Sequence, residues 1–206
     1  MTLSSLERLA NAVPFVLGSG SPRRRRLLGE TGIAFTVLIA DVDERQRDDE
    51  SPYDCALRLA REKALSVDLE TVAGAVTLGC DTIVVLEQKI LPKPESEEEA
   101  FDTLRQLAGR QHTVCSALAL AYNREVVAAG YETTEVWFNA VTDGRIREYI
   151  VTGEPMDKAG AYGIQGMGGF LVDRIDGNLD TVIGLPQTLL ERLAGEVFSK
   201  LRLAKD

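Results

Sequence analysis

The apolar positions of this chain switch repeatedly between period two and a helical period, which predicts strands and helices interleaved from end to end. Phe15–Gly18 reads as a first strand. Pro22–Glu30 reads as a helix with Ser21 as N-cap, proline in the first helical position and Gly32 as its stop. A strand is predicted over Phe35–Ala40, then an acidic loop, then a helix over Pro52–Ser66 capped by Ser51. Val76–Leu86 reads as a strand that turns through Gln88-Lys89 into Ile90-Leu91, and Glu97–Ala108 as a helix ended by Gly109. Thr113–Tyr122 and Glu125–Tyr131 form a hairpin through Asn123-Arg124, and Thr133–Val141 alternates as a further strand. Thr142 caps a helix running to about Val151 with Ile146, Tyr149 and Ile150 on one face. Phe170–Ile175 is a strand, and Pro186–Leu203 closes the chain as a helix with Leu189, Leu190, Leu193 and Val197 inward. The class is α/β or α+β with a mixed sheet.

The chain has 206 residues, enough for one domain with a sizeable core, split at most into two lobes. There is no internal repeat, low-complexity tract or linker. Hydrophobic residues make up 45% and charged residues 27%, a globular balance. No apolar run approaches the ~20 residues a membrane span needs. Glu7 and Arg8 interrupt the opening segment, so it does not read as a signal peptide. These observations predict a cytoplasmic protein with no membrane partner. The net charge of −9 argues against a nucleic-acid polymer as partner. Cys55, Cys80 and Cys115 lie far apart with no CxxC, as buried thiols in a reducing compartment would. Zinc chemistry of the usual Cys/His kinds is nearly excluded, and a Ser-His-Asp triad would have to use His112, which nothing marks.

Against that acidic background, Gly18-Ser19-Gly20-Ser21-Pro22-Arg23-Arg24-Arg25-Arg26 is odd. A helix N-terminus carries partial positive charge, so Arg23 and Arg24 in the first turn oppose the dipole unless an anion joins them. Turn amides, the Ser19 and Ser21 hydroxyls and two guanidinium forks make a phosphate cradle, while Arg25 and Arg26 read as a solvated face. A second feature is Asp81 in the middle of the apolar strand Val76–Leu86. A carboxylate there is costly unless paired or coordinating a cation, so it reads as a general base or metal ligand. On the helix Pro52–Ser66, Arg58 and Glu62 are i,i+4 neighbours that a surface ion pair explains. Lys63 falls beside the small Ala60/Ala64 side, where close packing is possible. Leu91-Pro92-Lys93-Pro94 fixes one lysine between two prolines, either a rigid loop or a preorganised grip on a ligand. Glu154–Gly169 is glycine-rich and aperiodic, and Gln165 within it offers both donor and acceptor to a base edge. Asp41-Val42-Asp43-Glu44 is a solvated acidic cluster or, beside a phosphate site, a holder of a divalent cation.

Six strings in order then resemble the Maf family of nucleoside triphosphate pyrophosphatases over about Val16 to Leu193: SGSPRR (Ser19–Arg24), DVDE (Asp41–Glu44), LAREKA (Leu59–Ala64), LGCDTIV (Leu78–Val84), LPKP (Leu91–Pro94) and DKAGAYGIQGMGG (Asp157–Gly169), followed by GLP (Gly184–Pro186). The resemblance implies a Maf/ITPase-like fold: a single two-lobed domain over residues 1–206, with a central mixed twisted sheet flanked by helices and a cleft between lobes. Residues 1–13 extend beyond the family's usual start. It implies hydrolysis of a nucleoside triphosphate to monophosphate and pyrophosphate, a house-cleaning activity. Asp81 is then the proton acceptor. Ser19, Ser21, Arg23, Arg24, Lys63 and Lys93 line the phosphates, and Glu44 with Asp81 holds Mg²⁺ or Mn²⁺. A homodimer is expected on the same ground.

Within the family, Arg23 after Ser-Pro, Thr82 after the aspartate and Gln165 in YGIQG look similar to the branch acting on dTTP and UTP. The branch acting on 7-methyl-GTP carries Trp and Glu at the first and last of these. A neutral glutamine pairs with the O4 and N3–H edge of uracil or thymine. The rival readings are a pyrophosphatase for 7-methyl-GTP or other non-canonical nucleotides, which Gln165 and Arg23 disfavour, and a nucleotide-sensing inhibitor of septum formation, which needs no intact Asp81. Two departures from the family pattern stand out. Cys80 replaces a commoner alanine, and Asp180 sits unusually in the loop before GLP.

Overall fold

The computed structural model describes residues 3–67 and 72–201. In chain order the elements are α1 (Ser5–Ala12), β1 (Phe15–Leu17), α2 (Pro22–Gly29), β2 (Thr36–Val37), α3 (Pro52–Leu65), β3 (Val76–Leu86), β4 (Lys89–Leu91), α4 (Glu97–Leu107), β5 (Gln111–Tyr122), β6 (Glu125–Phe138), α5 (Asp143–Val151), β7 (Val172–Asp176), α6 (Leu179–Ile183) and α7 (Gln187–Lys200). Three 3-10 turns fill the stretch between α5 and β7. Among the described residues the strands bond in the order β2-β1-β3-β5-β6-β7, with β4 on β3. β1 runs parallel to β2 and β3, while β4 is antiparallel to β3 and β7 to β6. The sheet is mixed, as the sequence predicts.

Two compact units divide the chain, the first holding the described residues up to Asp81, Ser116–Glu132 and those from Gly184 onward, the second Thr82–Cys115 and Thr133–Ile183. In the first unit Leu9, Leu17, Leu28, Ala60, Leu190 and Leu193 are all buried. In the second, one apolar cluster joins Val84, Leu104, Ile146, Tyr149 and Tyr162.

Most predicted elements fall within a residue or two of those observed, and the differences have physical causes. The second strand shortens to Thr36–Val37, extended by one further bond from the Leu38 amide to the Leu17 carbonyl (3.1 Å). The turn after β3 uses Glu87 and Gln88, both at positive φ (49° and 66°), which leaves Lys89 in β4. Two predicted strands, Glu125–Tyr131 and Thr133–Val141, are one strand, β6. Nothing between them is a turn former, and Thr133 and Thr134 are β-branched. The closing helix is Gln187–Lys200; the predicted end at 202–203 lies outside the described residues.

Two helices lack a predicted counterpart. One is α1, whose capping box between Ser4 and Glu7 was there to be read. It docks on α7 in the first unit: Glu191 accepts from the Ser5 and Leu6 amides, and Arg8 lies 5.2 Å from the Phe198 ring centre. The other is α6, which accounts for Asp180, an acidic residue in a helical first turn where the dipole favours it. Cys80 is fully buried, as its alanine-like position predicts.

Candidate functional site

In the first unit the site begins with strand and helix periodicity. Thr77, Gly79 and Asp81 alternate onto one face of β3, and Ala60, Lys63 and Ala64 share one face of α3. Gly79 lets these faces touch. A methyl group there would overlap the Ala60 carbonyl oxygen and the Ala64 amide nitrogen and lie 2.9 Å from Ala64 Cα. At that approach the Lys63 ammonium reaches Asp81, donating to Oδ1 at 2.7 Å. Both residues are buried, at 8% and 6% exposure, so the pair is shielded from water. Lys63 Nζ also meets Glu44 Oε1 at 2.7 Å. The second carboxylate oxygen of Asp81, Oδ2, is buried with no hydrogen-bond partner. A buried carboxylate with one oxygen tied and the other open is arranged to accept a proton or to bind a cation.

The acidic run divides. Asp43 turns to Arg45 in a bidentate pair, and that guanidinium holds its carboxyl down at about 2; only Glu44 of the two meets Lys63. The loop carrying Glu44 is held to α3 by Arg58, which the sequence offers only as half of a surface pair. Arg58 donates to Glu50 Oε1 (2.7 Å) and Oε2 (2.9 Å), to Glu62 (3.1 Å) and to the Arg45 carbonyl (3.0 Å), and Glu62 also meets Arg47 (2.8 Å).

The Arg58 guanidinium lowers Glu50 from 4.5 to about 2, against the opposing effect of burial. Because the folded value is the lower one, this carboxylate adds stability fully present above about pH 4.5 and lost as pH falls through about 2. Denaturant melts between pH 6 and 2 should therefore show a loss at the acid end that Arg58→Gln makes shallower. An unchanged pH slope in that variant would count against the tie.

The arginine run resolves into different tasks. Ser21 caps α2, accepting the Arg24 amide at 3.4 Å, and Ser19 Oγ accepts the Ser21 amide at 3.3 Å. Arg24 turns its guanidinium onto protein oxygens: the Gly184 carbonyl (3.0 Å), Ser19 Oγ (3.2 Å) and the Cys80 carbonyl (3.0 Å). Its charge at the helix start is thereby met by carbonyl oxygens, and it ties the Ser/Gly turn to the residue before Asp81 and to the start of the GLP segment. Arg25 and Arg26 are exposed, as predicted, with Arg26 near Glu30 (3.6 Å). Arg23 is half-buried.

In the second unit, Thr82 is half-buried, and Lys93 is exposed in a loop anchored by buried Pro94 and by the Pro92 carbonyl, which accepts the Gly160 amide at 3.2 Å. Gln165 is exposed on the glycine-rich segment. Glu154 organises that segment, a role the sequence does not announce. Its Oε1 accepts the Tyr149 hydroxyl (2.9 Å) and the Gly168 amide (3.1 Å), and its Oε2 accepts the Met167 amide (2.9 Å). The Tyr149 oxygen accepts the Gly163 amide at 3.1 Å. Burial pushes Glu154 up, but these donors outweigh it and hold the carboxyl below its ordinary value. Burial raises Tyr149 well above the ordinary phenol range. His112 is a core residue: it pairs with Tyr162 (2.8 Å), stacks edge-on with Phe138, and burial lowers it to about 4.

For a metal, the donors at hand are the carboxylates of Asp81 and Glu44, hard oxygens of the kind magnesium shares with substrate phosphates. The unpartnered Asp81 Oδ2 fits either that use or the acceptance of a proton. Among the described residues no group of three or more His, Cys, Asp or Glu forms a ready-made cage. All three cysteines are buried and unbonded, and no described helix is long and apolar enough to cross a membrane.

A buried lysine–carboxylate cluster on the inner face of a parallel strand, next to a capped Ser/Arg turn, defines a class, and the chain belongs to the Maf family: the model for "Maf-like protein" matches residues 14–197. Among individual relatives, it is 42% identical over 190 residues to a protein of Escherichia coli O157:H7 named dTTP/UTP pyrophosphatase, covering 92% of this chain and 95% of that one. A Vibrio cholerae protein of the same name is 44% identical over 171 residues, covering 83% and 91%. A solved structure of a HAM1 protein from Coxiella burnetii aligns over 94% of this chain and 100% of its own at 16% identity and TM-score 0.46, too loose a likeness to bear on the site.

Proposed function

We propose that this protein is a nucleoside triphosphate pyrophosphatase that converts dTTP and UTP to the monophosphate and pyrophosphate. The observation that carries the reading is the buried Asp81, clasped at Oδ1 by Lys63 and without a hydrogen-bond partner at the equally buried Oδ2. The names of relatives about 40% identical over most of the chain support the same chemistry.

In this reading Asp81 Oδ2 takes a proton from a water attacking the α-phosphorus in line. The α–β anhydride bond breaks and pyrophosphate leaves. Lys63 fixes the Asp81 rotamer through Oδ1, so the open oxygen is aimed before substrate arrives. Ser19, Ser21, Arg23, Arg24, Lys63 and Lys93 bind phosphate oxygens, and Arg24, through its bonds to two backbone carbonyls, also keeps the turn amides in position. Glu44 and Asp81 would hold Mg²⁺ or Mn²⁺, which supplies charge neutralisation on the phosphates. Arg23, Thr82 and Gln165 set the substrate preference, with the glutamine amide meeting the O4 and N3–H edge.

We take the two units as parts of one Maf-like domain, and the protein as a cytoplasmic homodimer. Its three buried free thiols support a reducing compartment. Pyrophosphate release from dTTP, UTP, CTP and 7-methyl-GTP under Mg²⁺ or Mn²⁺ tests the reading. dTTP and UTP should lead by at least about tenfold. Preference for 7-methyl-GTP, or no release from any of the four, would overturn it.

A further inference from the structure

We infer that Glu154 and Tyr149 form a clamp that positions Gln165 for base selection. The inference rests on the proposed role of Gln165. Between the 3-10 turns Ala159–Ala161 and Met167–Leu171, residues 162–166 have no strand or helix ladder of their own. The two shoulders of this stretch are pinned to one pair of side chains instead: Gly163 to the Tyr149 oxygen at 3.1 Å on one side, Met167 and Gly168 to the Glu154 carboxylate at 2.9 and 3.1 Å on the other. The Tyr149 hydroxyl donates to Glu154 at 2.9 Å, so the two shoulders share one anchor.

The glycine spacing follows from the clamp. A methyl group at Gly166, whose φ is +97°, would lie 2.8 Å from Glu154 Oε2, and one at Gly168 would lie 2.5 Å from the Tyr149 oxygen. Side chains at these positions would push the anchor off the backbone. Gln165 is thus the large polar group on a short bridge fixed at both ends. Selection needs that fixity. The fixed bridge sets where the Gln165 side chain starts and how far its amide reaches, so a bridge free to shift carries the amide out of hydrogen-bond range of the O4 and N3–H edge.

The test uses Glu154→Gln and Tyr149→Phe in the full chain. Glutamine keeps the shape but turns an acceptor into a donor facing an amide; phenylalanine keeps the ring that packs edge-on against Phe170. In Glu154→Gln, amide hydrogen exchange over residues 163–168 should quicken by about tenfold or more. The KM for dTTP should rise by about tenfold with kcat within about twofold, and the preference for dTTP over CTP should shrink. Tyr149→Phe should move each quantity the same way by less. In a Gln165→Ala background, Glu154→Gln should cause no further loss of preference. Unchanged exchange over 163–168, unchanged preference in folded Tyr149→Phe, or losses that add in full to those of Gln165→Ala would each overturn the clamp. A wild-type protein that releases no pyrophosphate from dTTP or UTP sinks the pyrophosphatase reading instead, and the exchange rates still decide whether the clamp exists.

Discussion

Asp81→Asn should lower kcat for dTTP by about two to four orders of magnitude while leaving the fold intact. Asparagine has the same shape and keeps a carbonyl-type oxygen for the Lys63 ammonium, now 2.7 Å from Oδ1. It loses the ability of Oδ2, the oxygen without a protein partner, to take a proton. The expected signature is near wild-type circular dichroism and retained nucleotide binding with pyrophosphate release at background. Full turnover in this variant would remove Asp81 from the chemistry. A variant that melts far below wild type would point to the Lys63 pairing as mainly structural, since the lysine would then lack the charge that justifies its burial.

Gly79→Ala is expected to be the most damaging single methyl in the first unit. The added carbon overlaps backbone atoms of Ala60 and Ala64, which cannot swing aside as a side chain tip does. Overpacking against backbone costs about 3 kcal/mol, which for a chain of this size lowers the melting temperature by about 6–12 °C. The second consequence is chemical. If β3 relieves the overlap by moving off α3, the Lys63–Asp81 bond lengthens, and activity should fall further than the loss of folded protein explains. Thermal melts and kcat at a temperature where the variant is fully folded separate the two effects. A variant with wild-type melting temperature would show that the close approach of strand and helix is not required.

Much of this was legible in the residues, and what was not had a reason. The buried aspartate announced itself because a charge in an apolar strand is anomalous on its own strand. The small Ala60/Ala64 face beside Lys63 was visible at helical spacing, and Gly79 completes it across the contact. Partners were harder. Arg58 reads locally as half of an i,i+4 pair with Glu62, and nothing in the spacing says that Glu50 and the Arg45 carbonyl share its guanidinium. Arg24 reads as a phosphate fork, and the spacing gives no hint that it also bonds the carbonyls of Cys80 and Gly184. The Glu154 carboxylate carried no local signal, since the amides it accepts, those of Met167 and Gly168, lie 13 and 14 residues away. Helix α1 differs from these, because its signal, the Ser4/Glu7 capping box, is local.

The chain passes between its two compact units more than once, first between Asp81 and Thr82 and last between Ile183 and Gly184. Lys63 and Asp81 belong to the first unit, and Gln165 with its anchor Glu154 belongs to the second. On the proposed reading, the Glu154 anchor is a place within the second unit where nucleotide preference can be retuned by substitutions that leave the Lys63–Asp81 pair as it is.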